Sequence, residues 1–389
     1  MEIGKIKKND GDMLVNSSTL GFTSVFLDNF TKLAILTILT GYNKSNGISI
    51  NDSFSKKIDI NRLSTFLSYI INHRIAPMKF NIRLKQLKEA PDAIKILDYN
   101  TNTLKNVGAV LNFSGGLDST AGLLYAFDKK TEVLPLWIDF GQRNNTAEHK
   151  AVKKITDKLK IKPLILKINL KKDILRGWKD WDFIIPGRNF LFLSLANSIL
   201  KFSQASKKFI YLCAHKDEMG FRKNKDKSQY FFNKASYFFS IESNKSVKAG
   251  SPFSAYSKSE VIAYWRKNWE KKYGISPFDT ITCYYGGGCG KCDACLKRAI
   301  CLLAGGYDLK GRVRINPLKD PAGLIKNSWI PRIRAGKMAR NNKLDFIIAV
   351  EKSLDITPGY LSEFYHNLSI NTLHAAQRRK LEIDRAIIK

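Results

Sequence analysis

The sequence predicts an α/β fold in which a parallel sheet is covered by helices on both faces. From Val107 onward, short apolar stretches of strand type alternate with longer stretches of helical periodicity. A glycine-rich turn directly follows the first of these strands, and four cysteines lie within thirteen residues towards the end of the alternating region. The chain has 389 residues, of which 44% are apolar, so it is long enough for one large core with additional segments.

Four strands and four helices are predicted in the alternating region. In chain order, the strands are AVLNF (109–113), VLPLWIDF (133–140), LILKI (164–168) and KFIYLCA (208–214). The helices are placed at 120–127, 146–159, 189–202 and 258–272. Ligands of open parallel sheets bind at the carboxyl ends of the strands, so the loops after Phe113, Phe140 and Ala214 are expected to face one pocket.

Composition and periodicity divide the chain into three regions. An N-terminal extension of mixed or helical character covers residues 1–105, the alternating domain covers 106–305, and a helical C-terminal extension covers 306–389. The C-terminal extension is too apolar for a disordered arm. We therefore expect it to pack on the core or on a partner.

Neither a signal peptide nor a membrane span is expected. The N-terminus runs directly into polar residues, and polar and charged side chains interrupt the apolar run around 25–39. Six cysteines in so long a chain do not make a disulfide framework, and their clustering suits metal binding in a reducing compartment. The expected location is the cytoplasm.

The chain is strongly basic, with 65 Lys and Arg against 34 Asp and Glu and a formal net charge of +31. This balance favours an acidic partner such as nucleic acid, a nucleotide or an acidic protein. Lysine supplies most of the excess and is spread along the whole chain, so a solvated basic surface explains the charge equally well. Nucleic-acid binding stays open.

The turn FSGGLDST follows the first strand and opens a helix. Two adjacent glycines let backbone N–H groups point inward as an anion nest, and the helix start adds partial positive charge. No Gly-Lys-Ser/Thr ends the turn, so it is not a Walker A loop. The alternative is a helix-capping turn without function. The candidate residues for binding a phosphate chain are Phe113, Ser114, Gly115, Gly116, Leu117, Asp118, Ser119 and Thr120.

Two further segments follow the strands. The segment WIDFGQRN offers Asp139, Gln142 and Arg143 beside the nucleotide, although an exposed surface arginine is the default for Arg143. In IPGRNF, Arg188 presents a planar fork suited to a carboxylate or phosphate, and Asn189 can read an amide-like base edge. The alternative is a turn shaped by its proline and glycine, with Asn189 as the helix cap.

The cysteines Cys283, Cys289, Cys292 and Cys295 have the spacing C-x5-C-x2-C-x2-C. Four thiolates at short spacing suit a tetrahedral Zn²⁺ with no open position, which predicts a structural metal site. A disulfide or unligated thiols are the alternative. Cys213, in an apolar strand, is predicted to be a buried core thiol.

These elements, in this order, resemble the QueC family of 7-cyano-7-deazaguanine synthases over about residues 107–305, roughly half of the chain. The turn is similar to the PP-loop SGGxDS, the second strand ends in GQR, and PGRN leads into FLSLA before the cysteine cluster. The resemblance implies a Rossmann-like PP-loop sheet of the adenine nucleotide alpha hydrolase type. It also implies ATP and Mg²⁺ as cofactors and a structural zinc.

The implied reaction is adenylation of the carboxylate of 7-carboxy-7-deazaguanine, after which ammonia gives an amide and a second ATP gives the nitrile. The resemblance assigns catalytic roles to Ser114, Asp118, Ser119 and Arg188, and substrate binding to Arg188, Asn189, Asp217 and Phe221. In the segment LCAHKDEMGFR, however, the family's Gly-Tyr-Pro-Asp-Cys stretch is missing, which leaves the substrate open. His215 and Glu218 are equally well interpreted as ordinary surface groups.

Two other functions remain under consideration. A tRNA-thiolating PP-loop enzyme accounts for the basic charge but requires a reactive cysteine and a tRNA-binding module. A non-catalytic ATP-binding assembly subunit is a second alternative.

Longer QueC-like proteins such as QatC occur in bacterial anti-phage cassettes, including Qat and type IV CBASS. The two extensions of this chain, with aromatic residues such as Phe22, Phe26, Trp329 and Tyr360, resemble that class and imply a partner protein that receives the activated substrate.

Overall fold

The computed structural model describes residues 7–9, 12–16, 34, 47–51, 58–71, 79–83, 104–167, 187–219 and 225–388. Four strands of the N-terminal region form one sheet in the order β1-β2-β3-β4, in which β1 and β2 are antiparallel and the remaining pairs are parallel. These strands are β1 Lys7–Asn9, β2 Asp12–Asn16, β3 Gly47–Asn51 and β4 Lys79–Arg83.

A second, five-stranded sheet forms the centre of the protein. All its neighbouring strands are parallel, and their order is β7-β6-β5-β8-β9. The predicted parallel α/β sheet is therefore confirmed. The strands are β5 Ala109–Asn112, β6 Leu134–Asp139, β7 Leu164–Lys167, β8 Lys207–Tyr211 and β9 Ser246–Gly250. The strand order reverses at β5, since β6 lies on one side of it and β8 on the other, and such a point is where open α/β sheets bind ligands.

Helices cover the two faces of this sheet and continue into the C-terminal region. A π-helical turn, Trp265–Trp269, joins α7 to α8, and a second one, Ile325–Trp329, precedes α10. None of the described helices combines the length and apolar composition that a bilayer crossing requires. The helices are α1 Ile60–Ile71, α2 Leu117–Asp128, α3 Asn145–Leu159, α4 Arg188–Lys201, α5 Lys216–Met219, α6 Gln229–Ser243, α7 Lys258–Tyr264, α8 Glu270–Tyr273, α9 Asp293–Ala304, α10 Ile330–Arg334, α11 Arg340–Glu351, α12 Gly359–His366 and α13 Ile370–Arg385.

Alternate residues of the strands belong to two separate cores, because successive side chains of a strand point to opposite faces of the sheet. On one face, Val110 of β5 joins a core built largely from α4, α6 and α1. On the other, Leu111 joins a core built from α2, α7 and α9. In the first core, the Phe66 ring of α1 lies 5.5 Å from that of Phe190 and 5.9 Å from that of Phe231, so this helix of the N-terminal region packs on the central sheet domain.

The C-terminal region packs on the second face. Phe346 of α11 and Leu361 of α12 are completely buried and belong to the same core as Leu111. The Trp329 indole Nε1 donates to Asp293 Oδ1 at 3.3 Å, and the Tyr360 hydroxyl bonds to Asp320. This segment therefore covers apolar surface of its own chain. Phe22 and Phe26 lie outside the described residues.

Candidate active site

The glycine-rich turn after β5 is a compact loop at the carboxyl edge of the sheet. Gly115 has φ +66°, and a Cβ there would lie 2.9 Å from both the Cβ of Ala151 and the backbone N of Val152. The conformation and the close approach both require glycine. Inside the loop, the Ser114 N–H donates to Ser119 Oγ at 3.2 Å. The helix α2 begins immediately afterwards, and its first N–H groups have no partners within the helix, as an anion site requires.

The segment leading to the cysteine cluster closes against this loop. The Ile281 N–H donates to the Gly115 carbonyl oxygen at 3.0 Å, and a Cβ on Gly116 would lie 3.3 Å from the Ile281 carbonyl oxygen. A backbone bond thus connects the loop to a segment more than 160 residues later in the sequence. Residues 281–295, which contain the four clustered cysteines and are called the cysteine lobe below, are thus bonded directly to the loop.

Asp118, in the first turn of α2, is the centre of a charged group. Its Oδ1 lies 2.9 Å from His215 Nε2, and its Oδ2 accepts from Lys258 Nζ at 2.9 Å. Burial alone would raise the pKa of this carboxyl, but the Lys258 and His215 side chains hold it far below its usual range. Burial acts in the opposite sense on the Lys258 ammonium, and the Asp118 and Glu218 carboxylates outweigh it and raise the pKa of Lys258. Both groups are therefore charged at neutral pH.

His215 and Glu218 are integrated into this group. The His215 side chain is 1% exposed and stacks on Phe253, with ring centroids 5.5 Å apart. Glu218 Oε1 lies 2.8 Å from Lys227 Nζ, and its buried Oε2 has no partner within the described part of the chain. The interpretation of His215 as a surface group was wrong, because the loop after β8 folds inward against α2. Lys258 had not been predicted at all.

A cleft of about 210 Å³ opens beside the loop at the carboxyl ends of β5, β6 and β8. The Arg188 guanidinium carbon lies 5.9 Å from the centre of the Phe140 ring and 5.8 Å from that of Phe192. Its Nε is buried and has no hydrogen-bond partner among the described residues, and the same holds for Asn112 Oδ1. Unpaired buried donors and acceptors in a cleft are groups that a ligand can satisfy. The cleft is lined by Asn112, Phe113, Ser114, Asp118, Ser119, Leu136, Trp137, Ile138, Phe140, Glu148, Arg188, Asn189, Phe192, Leu212, Cys213 and Lys227.

Glu148 is a carboxylate of this cleft that had not been predicted. Its oxygens accept hydrogen bonds from Trp137 Nε1 at 3.3 Å, Gln142 Nε2 at 2.7 Å and Asn144 Nδ2 at 3.1 Å. Burial raises its pKa, and the bonds from Gln142 and Trp137 and the charge of Arg188 oppose that shift. Its place in the first turn of the helix after the second strand was a signal that the sequence contained.

Several predicted nucleotide ligands do not line the cleft. Asp139 Oδ1 accepts from the Gly141 N–H at 3.0 Å, and buried Gln142 bonds to Glu148 and to the backbone N–H of Phe140. Arg143 is exposed. The role of Asp139, Gln142 and Arg143 in binding ATP stays a prediction. Leu117 and Thr120 are buried within α2 and do not line the cleft either.

The predicted substrate residues separate into two groups. Arg188 and Asn189 line the cleft, and Asn189 Nδ2 donates to the Asp226 carbonyl oxygen at 3.3 Å. Asp217 is not in the lining, and its Oδ1 accepts from Asn341 Nδ2 at 3.0 Å. Phe221 lies outside the described residues.

The four clustered cysteines converge. Their sulfur atoms all lie within 4.8 Å of one another, and Cys289 Sγ and Cys295 Sγ are 4.0 Å apart. A tetrahedral zinc with bonds of about 2.3 Å holds its sulfurs about 3.8 Å apart, so this spacing fits one metal ion. Backbone N–H groups of Tyr285 and Cys289 donate to Cys283 Sγ at 3.4 and 3.3 Å, as suits a thiolate. The cysteines are free thiols in the structure, so the disulfide alternative is not realised.

Comparison with known proteins identifies the family. The family described as "Queuosine biosynthesis protein QueC" matches residues 108–177 and 181–305. A 7-cyano-7-deazaguanine synthase of Picrophilus torridus is 32% identical over 212 residues, which cover 49% of this chain and 84% of that protein. The enzyme of the same name from Bacillus subtilis is 29% identical over 215 residues, or 50% of this chain and 94% of that protein. Over its central half, this chain therefore belongs to the QueC family of ATP-dependent carbon–nitrogen ligases.

Proposed function

We propose that this protein uses ATP to adenylate the carboxylate of a 7-deazaguanine, 7-carboxy-7-deazaguanine in the first instance, and then joins the activated carbon to an amine. The product is an amide or a nitrile. One observation supports this best: a single cleft is lined by the glycine-rich loop, by Asp118, which is ion-paired with Lys258, and by Arg188, whose buried Nε has no hydrogen-bond partner among the described residues. Adenylation needs these functions, namely a phosphate cradle, a counter-charge and a carboxylate anchor.

Each group has a defined task in the proposed reaction. The loop around Ser114 and Ser119 binds the phosphate chain, and Lys258 offsets negative charge as the pyrophosphate leaves. Arg188 holds the substrate carboxylate for in-line attack on the α-phosphorus, because its planar fork matches two carboxylate oxygens. Asp118 is the ionised carboxylate that suits a hard cation, and Mg²⁺ bound there with ATP would supply charge neutralisation.

The cysteine cluster has a structural task in this proposal. Four thiolates leave a zinc ion no position for substrate, so the metal would hold the lobe that contacts the loop through Ile281 and Gly115. The chemistry in the cleft then needs no protein thiol.

The thiolase alternative depends on a cysteine beside the ATP loop. Cys213 does line the cleft, but burial and the negative charge of Asp118 raise the pKa of its thiol. A Cβ added to Gly122 would lie 2.3 Å from its sulfur, so the thiol is packed tightly against α2. A protonated, packed thiol is a poor nucleophile, which favours carboxylate chemistry over sulfur transfer.

Pyrophosphate release tests the proposed reaction. Wild-type protein with ATP, Mg²⁺, an ammonium salt and 7-carboxy-7-deazaguanine should release pyrophosphate and AMP, and omission of the carboxylate should stop this. Ser114→Ala should lower the rate by about 10²-fold or more without unfolding the protein, because one oriented donor to the phosphates is lost. Release of ADP and phosphate in place of AMP and pyrophosphate would show that the adenylation mechanism is incorrect. ATP binding without turnover would instead favour the assembly-subunit alternative.

We propose further that the protein works in an anti-phage cassette and delivers the activated deazaguanine to a partner protein. The support is the length of the chain: its relatives match over 84% and 94% of their own lengths but over only about half of this chain. Co-expression with neighbouring gene products, followed by intact-mass measurement, tests the idea. A partner that gains the mass of a deazaguanine acyl group supports it. Full-rate conversion of the free carboxylate to nitrile by the isolated chain, with no modified partner, contradicts it.

A further inference from the structure

Lys258 occupies the first position of α7, so its contact with Asp118 at the edge of the cleft depends on what holds the start of that helix. The start is a capping box: Ser257 Oγ accepts from the Glu260 N–H at 3.3 Å, and Glu260 Oε2 accepts from the Ser257 N–H at 2.8 Å. Ser257 is completely buried. Any group that binds these two side chains therefore fixes the direction in which Lys258 leaves the helix.

Arg379 of α13 binds both members of the capping box. Its guanidinium donates to Ser257 Oγ and to Glu260 Oε1, and its Nε donates to Asp345 Oδ1 at 3.0 Å. Asp345 of α11 in turn accepts from Ser259 Oγ at 2.6 Å. The Arg379 and Asp345 side chains are each 3% exposed. Two helices of the C-terminal region thus hold the residues on either side of Lys258.

The C-terminal region also contacts α5, the short helix that follows His215. Asn341 of α11 donates to Asp217 Oδ1 at 3.0 Å. Asp217 lies in α5, two residues after His215 and directly before Glu218. The elements that bring His215 and Lys258 to Asp118 are therefore both bonded to α11, the first through Asn341 and the second through Asp345.

We propose that Arg379 and Asp345 are positioning residues that hold Lys258 against Asp118, so that the C-terminal region is a working part of the cleft. The catalytic importance of Lys258 rests on the proposed function, whereas its positioning by Arg379 does not. Both residues lie outside the part of the chain that matches the QueC family. The arrangement makes the activity of this chain depend on a segment beyond that family region.

The chemistry of arginine explains why this residue occupies the position. Its planar fork presents several donors at fixed angles and serves Ser257, Glu260 and Asp345 at once. Lysine keeps the charge but offers a single nitrogen, so it cannot span three acceptors. Arg379→Lys therefore removes the fixed geometry while leaving the buried carboxylates a counter-charge.

Two measurements on the full chain test the proposal. In Arg379→Lys, kcat for pyrophosphate release should fall by about tenfold to a hundredfold while the KM for the carboxylate changes little, because a misplaced group costs rate more than affinity. Brief labelling with acetic anhydride, analysed by peptide mass spectrometry, should modify Lys258 at least about threefold more than in wild type, because an amine released from Asp118 is more accessible and loses its proton more readily. The matched control is Arg378→Lys, whose side chain is exposed on the same helix.

Buried Lys208, on the opposite face of the sheet, serves as an internal reference for labelling. Unchanged labelling of Lys258, or an equal rise at Lys258 and Lys208, would overturn the proposal, since the second result means general loosening. Should Arg379→Lys not fold, Ser259→Ala removes the bond to Asp345, together with the Ser259–Cys301 hydrogen bond, and must show the same selective exposure of Lys258. If wild type releases no pyrophosphate, the proposed reaction fails and the labelling result alone still decides the positioning.

Discussion

At the residue scale, the cleft is organised by one carboxylate between two basic side chains. Asp118 bonds to His215 on one oxygen and to Lys258 on the other, so its orientation is defined from two directions. Such a pair is costly to bury unless each charge is matched. Lys258 forms an ion pair with Asp118 and is also attracted by Glu218, and these two carboxylates keep its ammonium group charged. In the proposed reaction, this charge lies near the departing pyrophosphate.

Removal of that charge should slow turnover strongly. Lys258→Met keeps much of the side-chain volume, and we expect kcat for pyrophosphate release to fall by about 10²-fold to 10³-fold, as for loss of a preorganised charge at a reacting group. Steady-state kinetics provide the measurement. Lys271→Met, at an exposed position further along the same helical run, should retain wild-type activity. Equal rates for the two variants would remove Lys258 from the mechanism.

At the element scale, a main-chain hydrogen bond connects the cysteine lobe to the glycine-rich loop. The contact between Ile281 and Gly115 lies two residues before Cys283, the first of the four thiols. Loss of a metal from this lobe would release the segment that supports the loop. Metal binding, local folding and activity are therefore expected to be linked.

Zinc content and stability test this linkage. Wild-type protein should contain one zinc per chain by elemental analysis, and Cys292→Ser should lose it with a lower Tm and weaker ATP binding, because a closed site needs all four thiolates. Cys301→Ser is the control, since Cys301 does not belong to the cluster and its variant should keep the metal. Soluble, active wild-type protein without zinc would contradict the metal assignment.

At the scale of the whole molecule, the C-terminal region completes the second core of the sheet domain. Its helices contribute fully buried residues to the core that begins at Leu111 of β5. Exposure of that face would create a large apolar patch. In its described part, this region is a permanent layer of the fold, and a partner protein would have to bind to its outer surface.

Two substitutions measure how much the C-terminal region contributes to the free energy of unfolding. Phe346→Ala should lower the free energy of unfolding by about 3–5 kcal/mol, because a completely buried ring leaves a cavity. Ile370→Ala, at a side chain that is 71% exposed, should change it by less than about 0.5 kcal/mol. Urea denaturation of both variants provides the comparison. Similar values for the two would mean that the C-terminal region is not part of the cooperative fold.

Sequence alone determined the features that depend on neighbours along the chain. Alternating periodicity predicted strands β5 to β8 and the parallel sheet, and the short cysteine spacing predicted the convergence that the structure shows. The strand β9 was missed because it is partly exposed and its residues, SVKAG, contain no apolar run. The glycine-rich loop was predictable because a strand, a tight turn and a helix start lie within a few residues of each other.

Only the tertiary structure decided which distant groups meet. Lys258 is 140 residues from Asp118 in the sequence, and Arg379 is 119 residues from Glu260. A lysine at the start of a helix and an arginine within one look like solvated surface charges in a strongly basic chain. Their pairing is set by helix packing on one face of the sheet, where burial makes each charge require a partner. Local patterns contain the glycine-rich loop and the cysteine cluster, whereas the charged group around Asp118 joins residues that only the packing of distant elements brings together.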